Sequence, residues 1–158
     1  MKRAVLLAVA AVTLCVAQAV QARTIPVVAD TFVDASHPNN VYGGKPFLRT
    51  DDKPRKIMLL RFPTATRGPI TLCLTVGGGV GSAIPIAYTV RDPWDEDTVT
   101  WNTRPRLGHQ LRGWGAWHGG RPYRLCLRFT KGLPKSVALV SGGIRATRYG
   151  ADSAQIGD

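Results

Sequence analysis

Along this chain, apolar and polar residues alternate in short runs, and no long stretch keeps an apolar period of 3.6 residues. The runs predict strands at about Thr24–Val33, Phe47–Thr50, Lys56–Phe62, Ile70–Val76, Ile84–Val90, Thr98–Trp101, Arg124–Phe129 and Val137–Ser141. A final pair is predicted over Ile144–Thr147 and Ala154–Ile156. Turn signals separate them: Pro38-Asn39-Asn40, Gly43-Gly44, Asp51-Asp52, Gly77-Gly78-Gly79, Lys131-Gly132-Leu133-Pro134 and Gly142-Gly143. The 17 glycines and 11 prolines are scattered throughout, which argues against helices. Short strands at this spacing predict an all-β sandwich or barrel. The stretch Arg106–Tyr123, rich in Gly, Trp and Arg, predicts a long loop.

The start of the chain does not share this pattern. Lys2 and Arg3 precede an apolar run, Ala4–Val16, and Val20-Gln21-Ala22 places small residues where a signal peptidase cuts. We therefore expect residues 1–22 to be a secretory signal and residues 23–158 to be one mature domain. The run is too short to cross a bilayer, which takes about 20 apolar residues, so no transmembrane segment is expected. The expected location is extracellular or periplasmic.

Export changes the reading of the cysteines. Removing Cys15 with the leader leaves Cys73 and Cys126, an even count that suggests one disulfide. Each lies in an alternating run, Ile70–Val76 and Arg124–Phe129, with leucines on both sides. Leucine and cysteine therefore face opposite ways, and a bridge would tie two strands from outside the core. The alternative is two unpaired thiols on separate strands.

Charge narrows the partner. The leader holds two of the 21 basic residues and none of the ten acids, leaving +9 on residues 23–158. Such a surface attracts polyanions. Export disfavours nucleic acid and leaves acidic glycans, cell-wall polymers and anionic membrane surfaces.

Two segments go further. The first comprises Ala29-Asp30-Thr31-Phe32-Val33-Asp34, Pro38-Asn39-Asn40-Val41-Tyr42-Gly43-Gly44, Phe47-Leu48-Arg49 and Leu59-Leu60-Arg61-Phe62. The second is Trp94-Asp95-Glu96-Asp97-Thr98-Val99-Thr100-Trp101-Asn102-Thr103-Arg104-Pro105. In this order they resemble the DNRLRE domain, also called carbohydrate-binding module family 96. That family shows an ADTYVD-like strand, a PNTNYG-like turn, an RFDL-like strand and a WxExTxTWxxxP-like segment. Trp94, Glu96, Thr98, Thr100, Trp101 and Pro105 match the last of these. Pro63 stands where the family has the Asp of RFDL, and Tyr149 follows Arg148 where the family closes on an acid. The chain thus resembles a divergent member standing alone. The resemblance implies a single-domain, jelly-roll-like antiparallel β-sandwich that binds acidic polysaccharides such as alginate or pectate and has no catalytic residues.

Binding surfaces of such modules use basic residues after the NYG-like turn. Here that stretch supplies Lys45, Arg49, Lys53, Arg55, Lys56 and Arg61, with Tyr42 placed to stack on a sugar ring. Arginine grips a carboxylate with two parallel donors, and lysine offers a point charge. A solvated hairpin tip would favour the same cations. Trp114 and Trp117, in a Gly-rich stretch, are either a second sugar platform or a cap on the core. Asp95, Glu96 and Asp97 are adjacent in an extended stretch and do not converge as an acid/base pair. Glu96 is expected to accept hydrogen bonds from a neighbouring loop, and Trp94 and Trp101 to pack at the sandwich edge. His37, His109 and His118 lack metal-ligand spacing, so no metal or cofactor is expected. Structural calcium would have to use Asp30, Asp34 or Asp51. Two other classes compete. One is a secreted surface or matrix protein that self-assembles rather than remaining monomeric. The other is a small polysaccharide lyase built on His118, Arg121 and Tyr123.

Overall fold

The computed structural model describes residues 24–78, 84–118, 123–142, 147–150 and 155–157. They form twelve strands and, among the described residues, no helix. The strands are β1 (Ile25–Pro26), β2 (Ala29–Asp34), β3 (Phe47–Asp52), β4 (Arg55–Arg61), β5 (Ile70–Gly78), β6 (Ile86–Val90), β7 (Leu107–Gln110), β8 (Gly113–His118), β9 (Arg124–Phe129), β10 (Ser136–Val140), β11 (Thr147–Gly150) and β12 (Gln155–Gly157). One antiparallel sheet runs β2-β4-β10-β6-β7. The other runs β8-β9-β5, and beyond β5 come β12 with β1 and β11 with β3. β3 ends by pairing Asp51 and Asp52 with Lys56 and Arg55 of β4, which joins the two sheets at one corner. The fold is a jelly-roll-like β-sandwich, as the strand pattern and the resemblance led us to expect.

Two apolar layers hold it together. Met58, Leu60 and Phe62 face the space between the sheets, where they meet Leu72 and Leu74 of β5, Leu125, Leu127 and Phe129 of β9, and Val137 and Leu139 of β10. Ile57 and Leu59 point the other way and join Val33, Ala138, Val140, Trp94 and Val99 in a second layer. β4 is therefore buried on both faces, and for that reason Ile57–Leu60 is unbroken apolar sequence rather than an alternation. Burying each large side chain contributes about 1.5–3 kcal/mol relative to exposure.

The cysteines behave as the alternation required. Cys73 and Cys126 are register partners on β5 and β9 and form a disulfide. The leucines flanking each of them are in the core.

Several expected elements differ. Thr24–Val33 is not one strand: Ile25–Pro26 pairs with β12, whereas Ala29–Asp34 pairs with β4. Thr98–Trp101 is no strand either, because its hydrogen bonds close locally. The Thr98 and Val99 amides donate to the Asp95 carbonyl at 3.3 and 2.9 Å. The Thr100 amide donates to Thr103 Oγ1 at 2.9 Å, and the Thr103 amide returns a bond to Thr100 Oγ1 at 3.2 Å. The expected loop over Arg106–Tyr123 instead contains β7 and β8. There glycine serves close packing: a Cβ on Gly115 would lie 2.6 Å from Ile84 Cγ2 and 2.7 Å from Leu127 Cδ2. β11 and β12 do not pair with each other; both pair with β5. The leader, residues 1–22, lies outside the described residues.

Candidate functional site

The segment Trp94–Pro105 forms no part of either sheet. It lies across the outer face of the first sheet and covers the second apolar layer with Trp94, Val99 and half-buried Trp101. The two tryptophans thus cap a sheet face rather than pack at the sandwich edge. Asp95 caps the turn, accepting the Asp97 amide at 2.9 Å. Glu96 Oε2 accepts the Asp30 amide of β2 at 2.9 Å, so its partner is a strand at the sheet edge, not a loop. The Gly43 turn docks on the same segment, since a Cβ at Gly43 would fall 2.2 Å from the Glu96 carbonyl oxygen. Only glycine allows that approach.

This cover and the β3–β4 hairpin bring a group of polar side chains together at one end of the sandwich. Arg104 lies over the Trp101 ring, 3.9 Å from its centroid, and donates to the Trp101 carbonyl. Partial burial and then the positive charge of Arg55 lower the Arg104 pKa below its usual value, which places two guanidinium groups within electrostatic reach. Asn102 Nδ2 donates to Asn39 Oδ1 at 2.8 Å, and the Asn102 amide donates to the Pro38 carbonyl at 3.2 Å. Arg55, Lys53, Asn39, Asn102 and Arg104 are all exposed.

Two of the acids near this end are engaged by Lys56. Asp34 and Asp51 each lie 3.5 Å from Lys56 Nζ. Burial works to raise the Asp34 pKa. Hydrogen bonds from the Ser36 hydroxyl and amide, at 2.6 and 2.9 Å, and the charge of Lys56 outweigh it and hold Asp34 below its ordinary 3.8. Further along, Arg106 donates two side-chain bonds to Asp92 at 2.9 and 3.0 Å and holds its carboxyl at about 2. Among the described residues Lys53, Arg55 and Arg104 form no ion pair. Asp52, also exposed, is the register partner of Arg55.

The residues expected to bind do not all gather here. Lys53 and Arg55 form the hairpin tip. Lys45 is exposed beside a hollow of about 350 Å³ that also contains Asp30 and Glu96. Lys56 is a correction. It is 5% exposed, on the same side of β4 as Met58 and Leu60, and its ammonium sits between two carboxylates. It is withdrawn from the surface and lies between Asp34 and Asp51. Among the described residues, no three His, Cys, Asp or Glu side chains converge on a metal position. Arg61 stacks over the Trp94 ring at 4.5 Å. Arg49 is half-buried, and its Nε makes no hydrogen bond. Tyr42 stacks on Phe32, with centroids 4.3 Å apart, so one of its faces is occupied.

Trp114 and Trp117 both lie on β8. Trp114 is the register partner of exposed Arg128, and position 117 is that of core residue Leu125. β8 is separated from β3 by β9, β5 and β11, four strand spacings or about 19 Å. Trp114 is therefore remote from the hairpin tip. Of the residues considered for a lyase, Arg121 lies outside the described residues, while His118 ends β8 and Tyr123 is exposed just before β9.

Sequence reasoning missed Arg104, Asn39 and Asn102. The signal was present in Pro38-Asn39-Asn40 and in Asn102-Thr103-Arg104, but it takes the folded cover to put them beside the hairpin.

The chain belongs to carbohydrate-binding module family 96, whose family model matches residues 21–116. That span contains the hairpin, the cover segment and most of β8. No curated protein and no solved structure matches the chain.

Proposed function

We propose that this module binds an acidic polysaccharide of the alginate or pectate kind, outside the cell, without turning it over. The observation that carries the reading is the group of exposed cations Lys53, Arg55 and Arg104, none of which forms an ion pair among the described residues. Like charges held together by a fold repel until an anion joins them. Arginine suits the carboxylates of a uronate chain, and the Asn39–Asn102 pair suits its hydroxyl groups. Export is supported by the leader-like residues 1–22 and by the Cys73–Cys126 bridge, since disulfides persist in oxidising compartments.

The test is the double variant Lys53→Ala, Arg55→Ala. Both side chains are exposed, so its melting temperature should match that of the parent. We expect its dissociation constant for a uronate oligosaccharide at this site to rise about tenfold, the loss of about 1.4 kcal/mol. Calorimetric titration gives the number. An unchanged constant would rule out the hairpin tip as the binding site.

A further inference from the structure

β2 and β7 bound the first sheet, and β8 bounds one side of the second. An outermost strand presents a row of unpaired amides and carbonyls, and folded proteins guard such rows against a second chain. β2 is guarded by the cover segment, since its Asp30 amide donates to Glu96. β7 is four residues long, and its register with β6 shifts between Tyr88 and Val90. β8 has neither guard. Its six residues, Gly-Trp-Gly-Ala-Trp-His, stay in register with β9 from Gly113 to His118. They include no proline and no Lys, Arg, Asp or Glu. Among the described residues no strand pairs with its other side. The surface behind this edge is uncharged too. A hollow of about 310 Å³ lies there, floored by Leu127 and Phe129 and walled by Ile84, Ile86 and Leu111, and no charged side chain lines it. Arg112 and Arg128 flank β8 but are not on it. On so basic a chain, this edge is where a second copy meets least like charge.

We propose that β8 is an interface at which two copies of the chain pair edge to edge as antiparallel strands, joining their second sheets into one. The second copy supplies what the edge lacks, a row of amides and carbonyls at the same spacing. The side chains set the register. Trp114, 56% exposed, and exposed Ala116 are register partners of Arg128 and Cys126, on the side of β8 away from the core. Gly113 and Gly115 are partners of core residues Phe129 and Leu127. A two-fold axis through Gly115, perpendicular to the sheet, sets Gly115 opposite its own copy and Trp114 opposite Ala116 of the partner subunit. Facing positions then lie on the same side of the sheet, as a period of two requires. A large side chain meets a small one on each side of the axis, so the ring covers a methyl group and backbone and does not collide with a second ring. The same pairing stands a second sandwich beside the mouth of the hollow. The inference is independent of the ligand proposed above.

Sedimentation equilibrium of the protein up to its highest soluble concentration, with hydrogen exchange on the same samples, tests this. We expect a reversible dimer, with exchange slowed at the β8 amides as concentration rises. Raising the salt should tighten the dimer, because it screens the repulsion between two basic chains. Trp114→Lys, a charge at an exposed position on the edge, should raise the dimer dissociation constant by about thirtyfold or more. Ala116→Glu should also weaken the dimer, and its opposite sign separates loss of the edge from general repulsion. Val28→Lys, the same charge gain at an exposed apolar position outside the strands, should leave the dimer little changed. At concentrations where all four chains are monomeric, their circular dichroism and melting temperatures should agree, which shows that the variants fold. A parent chain that stays monomeric throughout would overturn the interface. So would a dimer that Trp114→Lys and Ala116→Glu leave intact, or one whose slowed amides lie outside β8.

Discussion

Lys56→Met is expected to destabilise the fold by about 3–5 kcal/mol at neutral pH, because it leaves two buried carboxylates without their cation. Asp34 and Asp51 flank the ammonium at 3.5 Å each, and all three residues are buried. Methionine keeps most of the volume, so the loss measures charge rather than a cavity. The pH dependence identifies the cause. In the parent the folded Asp34 pKa lies below its ordinary 3.8, so the carboxylate contributes stability above that value and loses it as pH falls through the folded pKa. In the variant the two buried carboxylates lose their cation while burial still opposes their charge, and protonation relieves this. The stability gap should therefore narrow as pH drops below about 4. Urea unfolding of both chains at pH 7 and pH 3.5 measures it. A gap that is small at pH 7, or constant with pH, would mean that Lys56 does not balance these acids.

Loss of the disulfide is the second large effect. Cys73 and Cys126 are 53 residues apart, and closing a loop of that length stabilises by about 4 kcal/mol in the chain-entropy description. The pair is on the outer side of β5 and β9, away from the leucine core, and the two strands are already in register from Ile70 to Thr75. Cys73→Ala, Cys126→Ala should therefore fold to the same sandwich with little cavity cost, and melt about 10–15 °C lower. Calorimetry with and without reductant checks this. The reductant should move the parent to the variant's midpoint and leave the variant unmoved. Coincident midpoints in all four samples would show that the bridge adds nothing.

What could be read from the sequence follows from how local each signal is. The alternation around Cys73 and Cys126 predicted both the strands and the face that carries the bridge, because a period of two is set by the backbone itself. The apolar run Ile57–Leu60 predicted a strand but not its second apolar layer. That layer is built by Trp94, Val99 and Trp101 from a segment more than 30 residues away. Lys56 was grouped with Lys53 and Arg55 because all three are cations in one hairpin. Its parity with Met58 and Leu60 turns it inward. Trp114 and Trp117 fall in the stretch Arg106–Tyr123 that predicts a loop, and both lie on β8. The charge of Arg55, on a hairpin, acts on Arg104, on the cover of a sheet face, and no local pattern announces it.

The central claim is that this carbohydrate-binding module recognises acidic chains through a shaped site and not through net charge alone. Affinity electrophoresis of residues 23–158 against alginate, pectate and a neutral glucan, at low and at moderate salt, tests it most directly. We predict retardation by an acidic polymer that survives moderate salt, and none by the neutral glucan. Equal retardation by every polyanion, vanishing as salt screens exposed charges, would contradict the claim.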